Sequence, residues 1–433
     1  HDFFLGVFGL NFRSLVAGAC ITFLPILAEA QSSEISCGST YTVVSGDTLS
    51  RISIRAYGVS AYQVLHDANR AAMGDNPNNL FVGQELIVPC RTETATNTTP
   101  ASQIVAPVAR ATDGPVVLTF NKASDPRFVI NVGIIDPYLE LIERATEGRV
   151  TFEVPDVMNT KPQDQLALVT SGQVDATYVR NEFLADTHPL LQLPMIPLMG
   201  GSAEQTAISL WNLHENYLAE TNYFDDAHLL GFVSAPTAHI WRRIDKPVQA
   251  GEGILSQNVY PVPYFEGLDT IGPMKVQEQN ATKYGEASAE DALTFLLAHG
   301  AARGAGIWND QMGVTEVENG IYTPTFSVIM SNEAWAKISP ADQTIITNIS
   351  GSALSLRSGA WDDFDNTHRQ FLLDAGLDVS YPDGPLLREI EEAAQAGLAK
   401  WGQAASALGV PAQQAIAAYR ADLASLRYLL IFR

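Results

Sequence analysis

The chain has 433 residues, 26 lysines and arginines against 48 acidic residues, and a formal net charge of -22. At about 150 residues per domain this length predicts two or three domains, and 46% apolar content is enough to build their cores. The acidic balance argues against nucleic acid and anionic membrane surfaces as partners, and three cysteines exclude a cysteine-rich scaffold or a four-cysteine zinc site within one chain.

The first 30 residues read as an address. Arg13 precedes the apolar run Leu15 to Leu27, and Ala28-Glu29-Ala30 supplies small residues around a cleavage point. A cation, a short apolar stretch and a small-x-small signal predict a cleaved secretory signal peptide over residues 1–30. The run is shorter than the about 20 residues a membrane span needs. Export places Cys37 and Cys90 in an oxidising compartment, where two cysteines most simply pair with each other. Cleavage after Ala30 would leave 25 basic and 46 acidic residues, net -21.

Between those cysteines, Tyr41 to Val44 is β-prone, and Ser45-Gly46 turns the chain. Asp47 can cap a helix with Leu49 and Ile52 on its buried side. Tyr62, Leu65 and Ala68 mark a second helix, and Val82 to Pro89 a turn and a returning strand. The expected order is strand, helix, helix, strand. The Y-x-V-x-x-G-D-T-L-x-x-I pattern and the closing V-G-Q-x-L-x-V-P make residues 41–89 resemble a LysM domain. The resemblance implies a module over 37–90 that binds peptidoglycan or another N-acetylglucosamine glycan. It places the sugar between two loops, on Gly46, Asp47, Thr48 and Leu49, and on Asn79, Leu80 and Phe81. Asp47 and Thr48 also read as helix-capping residues, and the two roles are compatible.

Residues 91–112 hold Thr92, Thr94, Thr96, Thr98, Thr99 and Pro100 with no lasting period, which predicts a flexible linker. Extended, it would reach roughly 70 Å. Strand and helix patterns then alternate. Strands are expected over 116–120, 150–154 and 174–179, and helices over 137–146 and 164–171, which predicts an α/β domain with a largely parallel sheet. Ser339-Pro340 starts a helix expected to run about 35 residues to Gly376, long enough to bridge two lobes. Leu386 to Leu429 supplies an amphipathic helical tail, and residues 424–433 have no assigned role.

Several segments resemble the TRAP-type extracytoplasmic solute receptors of the dicarboxylate-receptor type, over about 113–423. Glu147-Gly148-Arg149-Val150 is similar to their T-G-G-R-V, and Leu166 to Asp175 to their L-x-x-V-x-x-G-x-V-D. Leu193-Pro194-Met195 is similar to L-P-F, and Met330 to Gln343 to M-N-K-x-x-W-x-x-L-x-P-x-D-Q. The resemblance implies a two-lobed periplasmic α/β fold that closes on a small organic acid and passes it to TRAP membrane subunits. It implies no cofactor.

One departure bears on the ligand. The family carries an arginine in a K-I-R strand that forks onto the ligand carboxylate, a geometry lysine cannot mimic. The corresponding stretch within 253–263 has none, and Gln257 aligns there with Asn258 and Tyr260 beside it. Arg127 and Arg180, each after an expected strand, can substitute or can be surface arginines. Trp308-Asn309 can line the cleft or, for the tryptophan, fill a core. No metal or nucleophile pattern stands out. The histidines at 66, 188, 214, 228, 239, 299 and 368 are scattered, without H-E-x-x-H or G-x-S-x-G, and residues 91–433 lack cysteine. Three readings follow: a wall-tethered receptor, a wall-associated sensor or scaffold that kept the receptor fold, and a cell-wall hydrolase.

Overall fold

The computed structural model describes residues 35–43, 49, 52, 56, 62–73, 83–90, 115–221, 223–250, 295–304 and 306–430. The expected signal peptide, the linker 91–112, the sugar-loop residues Gly46, Asp47, Thr48, Asn79, Leu80 and Phe81, and the cleft candidates Gln257, Asn258 and Tyr260 lie outside them.

The small module pairs β1 (Thr40–Thr42) antiparallel with β2 (Glu85–Ile87), Tyr41 opposite Leu86. Leu49, Ile52 and Ala56 are helical and three or four residues apart, which puts them on one face. They pack with Leu65 and Met73 of α1 (Tyr62–Met73) and with Val43, Leu86 and Val88. Asn69 fastens α1 to the sheet edge. Its amide nitrogen donates to the Ile87 carbonyl at 2.8 Å, and its oxygen accepts the Ile87 N–H at 2.7 Å. Cys37 and Cys90 form a disulfide, with Cα atoms 4.6 Å apart.

Among the described residues the larger body has two sheets. The first runs β4 (Val150–Glu153), β3 (Val116–Asn121), β5 (Ala176–Arg180), β10 (Thr325–Ser331), β6 (Ala227–Ser234). The β4–β3–β5 part is parallel as expected, but β10 runs antiparallel to both β5 and β6, so the sheet is mixed. The second sheet is β11 (Asp378–Ser380), β9 (Met312–Thr315), β7 (His239–Arg243), β8 (Phe295–Leu297). Side chains alternate across each sheet, so both faces carry cores. Tyr178 and Val328 pack on one face of the first sheet with α2 (Asp136–Ala145), while Val179 and Ile329 pack on the other. In the second sheet Ile240 and Trp241 point to opposite cores in the same way.

Two strands cross from one sheet to the other. β6 continues through Ala235–Ala238 into β7, and β9 continues through 316–324 into β10. The crossings are bonded to each other: Ala238 N–H donates to the Tyr322 carbonyl at 2.7 Å, and Ile321 N–H to the Ala238 carbonyl at 3.0 Å. Gly320 turns this segment at φ +73, where any Cβ would run into Thr237.

After α3 (Gln165–Thr170), α4 (Ala203–Leu213), α5 (His299–Gly304) and α6 (Asn332–Lys337), the single long helix expected over 340–375 is three helices: α7 (Pro340–Ile349), α8 (Ser352–Leu356) and α9 (Gly359–Asp374). Ser339 caps α7 and Pro340 opens it, as expected. The break comes at Gly351, which sits at φ +57 with its N–H donated to the Leu230 carbonyl at 2.7 Å. Trp211 leaves no room there, since a Cβ would lie 2.6 Å from the indole. The bridging role survives in shorter pieces. Trp361 of α9 packs on the first sheet's core and Leu372 on the second's. In α10 (Gly384–Ala407), Leu386 and Ile390 join the second sheet and Leu398 and Trp401 the first. Gly409 and Pro411 separate α10 from α11 (Ala412–Leu430), so the expected tail is two helices. No helix among the described residues is long and apolar enough to cross a membrane.

Candidate functional site

The carboxyl ends of parallel strands are the usual ligand edge of an α/β sheet. Arg180 ends β5 there, next to the strand crossing. Its guanidinium is ion-paired to Glu182 and donates to the Tyr322 hydroxyl at 3.3 Å. Tyr322 in turn donates to Glu182 Oε1 at 3.0 Å. The Glu182 side chain is 1% exposed and the Arg180 side chain 25%. Burial beside Glu182 pushes the Tyr322 phenol upward, so it remains a donor. The Arg180 guanidinium carbon lies 5.9 Å from the Phe326 ring centre, and Phe326 stacks on Trp361 at 5.7 Å. The result is a cation, a buried anion, a phenol and an aromatic wall at the junction of the lobes.

Neighbouring polar groups fix this edge. Asn181 donates to Thr325 Oγ1 at 2.9 Å and accepts from the Ser327 hydroxyl at 2.6 Å, while Gln192 donates to its carbonyl at 2.6 Å. On the β3 side, Gln165 joins Asn121, Asn159 and Thr177 in a buried network. These bonds hold the turn after β5 in one conformation, and so aim Arg180.

The other expected contacts are placed differently. Arg127 is 89% exposed and forks onto its near neighbour Asp125, at 2.7 Å and 3.0 Å. That fork holds the Asp125 carboxyl down at about 2. Trp308 packs on the core cluster of Trp241, Ile307 and Leu372, and Asn309 closes the turn into Met312. Met312 pairs with Arg243, whereas the crossing lies beyond Ala238, so both residues sit at the outer end of the β7–β9 pair. Leu49 is buried in the small module's core, leaving only its backbone for a sugar. Glu182, Tyr322 and Phe326 were not read from the sequence. Arg180-x-Glu182 was the available signal, but Tyr322 lies 142 residues away.

Two concavities among the described residues lie elsewhere. A groove of about 850 Å³ runs between α10 and α11, and a cavity of about 250 Å³ is lined by His214, Tyr223, Phe224 and His228.

The LysM domain family matches residues 41–89. A TRAP periplasmic solute-binding protein from Bordetella bronchiseptica, with bound (R)- and (S)-mandelate, is similar at a TM-score of 0.64 and 25% identity, over 72% of this chain and 100% of that one. The chain joins a LysM domain to a TRAP-type solute-receptor fold. A marine metagenome TRAP protein specific for aromatic acid ligands, holding 3-hydroxybenzoate, matches at 0.61 and 20% identity over 72% of this chain and 99% of its own. The outer membrane transporter protein TsaT of Comamonas testosteroni is 24% identical over 313 residues, 72% of this chain and 92% of that protein.

Proposed function

We propose that the protein is a periplasmic solute receptor of TRAP type, anchored to peptidoglycan by its LysM domain, which binds a small organic acid between its lobes. The glycan occupies Gly46, Asp47, Thr48 and Leu49 with Asn79, Leu80 and Phe81. Residues 1–30 export the chain, 37–90 anchor it, and 91–112 tether the receptor body, 113–423. Arg180 takes the ligand carboxylate, with Tyr322 beside it and the Phe326–Trp361 wall against an apolar part. Gln257, Asn258 and Tyr260 are further proposed ligand contacts. Arg127, Trp308 and Asn309 are secondary. The role is binding and hand-over to TRAP membrane subunits, not catalysis.

The observation that carries this reading is a cationic group at the lobe junction of a receptor fold, backed by an aromatic wall. The bound mandelate and 3-hydroxybenzoate of the similar proteins make aromatic carboxylates the first class to screen. A thermal-shift screen of the full chain with mandelate, 3-hydroxybenzoate, benzoate and pyroglutamate tests it. Stabilisation by at least one acid is expected. A flat response throughout favours the second reading, a wall-associated sensor or scaffold, for which the Arg180–Glu182 pair is the supporting observation.

A further inference from the structure

Glu182 puts an anion directly beside the cation proposed to take the ligand carboxylate. Its side chain is 1% exposed, and its Oε1 is shared by Arg180 and the Tyr322 hydroxyl. Its Oε2 is buried with no hydrogen-bond partner among the described residues. A bare carboxylate arriving at Arg180 meets an attraction and a repulsion only a few ångströms apart, and the two largely cancel. A buried acceptor without a donor also raises the free energy of the empty site. A ligand that offers an acceptor to Arg180 and a donor to Glu182 answers both demands. Arg180 and Glu182 are in direct contact, so the ligand's acceptor and donor must lie about 3 Å apart, hydrogen-bond spacing. Neighbouring substituents on one carbon meet that requirement. Arg180 is the partly exposed member of the pair and Glu182 the buried one, so the ligand meets the pair from the Arg180 side.

We propose that Glu182 sets the ligand class: the site selects acids with a hydroxyl or ammonium group on the carbon next to the carboxylate, that is 2-hydroxy or 2-amino acids, over simple carboxylates. The inference rests on the receptor reading and deepens it. A site built to hydrogen-bond a hydroxyl rejects the analogue that lacks it, because its own polar group is then left unpaired.

Calorimetric titration of the full chain with matched pairs tests this: mandelate against phenylacetate, and lactate against propionate. The wild type is expected to prefer the hydroxy acid of a bound pair by about tenfold or more. Glu182→Gln, which keeps the shape and removes the charge, is expected to tighten phenylacetate by about tenfold and bring the pair within about threefold. A wild type that binds both members equally, or prefers phenylacetate, overturns the inference whatever the variant does. So does a Glu182→Gln protein, folded by circular dichroism, whose preference is unchanged. Those outcomes leave the receptor reading standing, whereas silence of all four acids on the wild type overturns both.

Discussion

The Tyr322 hydroxyl and Glu182 Oε1 lie 3.0 Å apart, joining the strand crossing between the lobes to the turn that follows β5. Arg180 completes the group by pairing with Glu182. A movement of the crossing therefore acts on the same side chains that would meet a ligand. Closure of lobes about such strands is a common response of two-lobed receptors.

Arg180 and Arg127 are expected to differ sharply. Arg180→Gln should weaken acid binding by about tenfold or more, since a bidentate charged donor is lost. Arg127→Ala should change affinity less than about twofold, because that side chain is 89% exposed and forked onto Asp125. Titration of both variants with mandelate checks this, and equal losses contradict the assignment.

The disulfide spans a sequence separation of 53 residues. In the chain-entropy model a loop of that size contributes about 4 kcal/mol. For a module near 50 residues that is a large part of its stability. Cys37→Ser is expected to abolish hydrogen-exchange protection in residues 62–73 while leaving the sheets of the larger body protected. Unchanged protection in α1 would contradict it.

Asn69 carries a second stabilising claim in that module. Asn69→Ala would strip both partners from the Ile87 backbone, at a cost of about 2 kcal/mol. Binding to purified sacculi should then fail at a lower temperature than in the wild type. Asn69→Asp keeps the acceptor for the Ile87 N–H and should lose less. Equal melting of the two variants would contradict the two-bond account.

Acid should destabilise the body. Burial holds His214, His228 and His239 down at about 4, against an ordinary 6.5. The unfolded chain therefore takes up their protons first, and their contribution is complete above 6.5 and lost as pH falls toward 4. Burial lowers His188 as well, while Asp362, pushed by burial up to about 6, acts in the opposite sense together with Glu215 and Asp422, whose carboxyls burial also raises. The Tm is expected to fall from pH 6.5 to 4.

The alkaline side rests on His299, which lies 3.2 Å from Asp365 and 3.0 Å from Glu316. Burial opposes its charge, but the bonds to both carboxylates outweigh burial and hold the imidazole above its ordinary range. Its contribution is present below 6.5 and lost as pH rises through the raised value. His299→Gln should flatten the Tm decline above neutrality, and an unaltered profile would contradict the role.

The motifs that made the family legible prove to be architectural. Arg149, of the G-R-V segment, forks onto Asp342, of the S-P-A-D-Q segment, at 2.9 Å and 3.1 Å across 193 residues. Asp175 accepts both the backbone and the hydroxyl of Thr119, which ties β3 to the start of β5. Local signals such as the Ser339 cap were readable because capping is a local event. The break at Gly351 was not, because it is imposed by Trp211 and Leu230 from elsewhere in the fold. Glu182 and Tyr322 escaped for the same reason: their meaning lies in a contact 140 residues long. The direction of β10 was likewise hidden, since a buried strand reads the same in either sense.

The most direct test of the receptor account is a calorimetric titration of the full chain with mandelate, run on the wild type and on Arg180→Gln. The account predicts saturable binding at one site per chain in the wild type and its loss, or weakening by about tenfold or more, in the variant. Undiminished binding by Arg180→Gln, or no binding by the wild type to mandelate or any other acid screened, would contradict it.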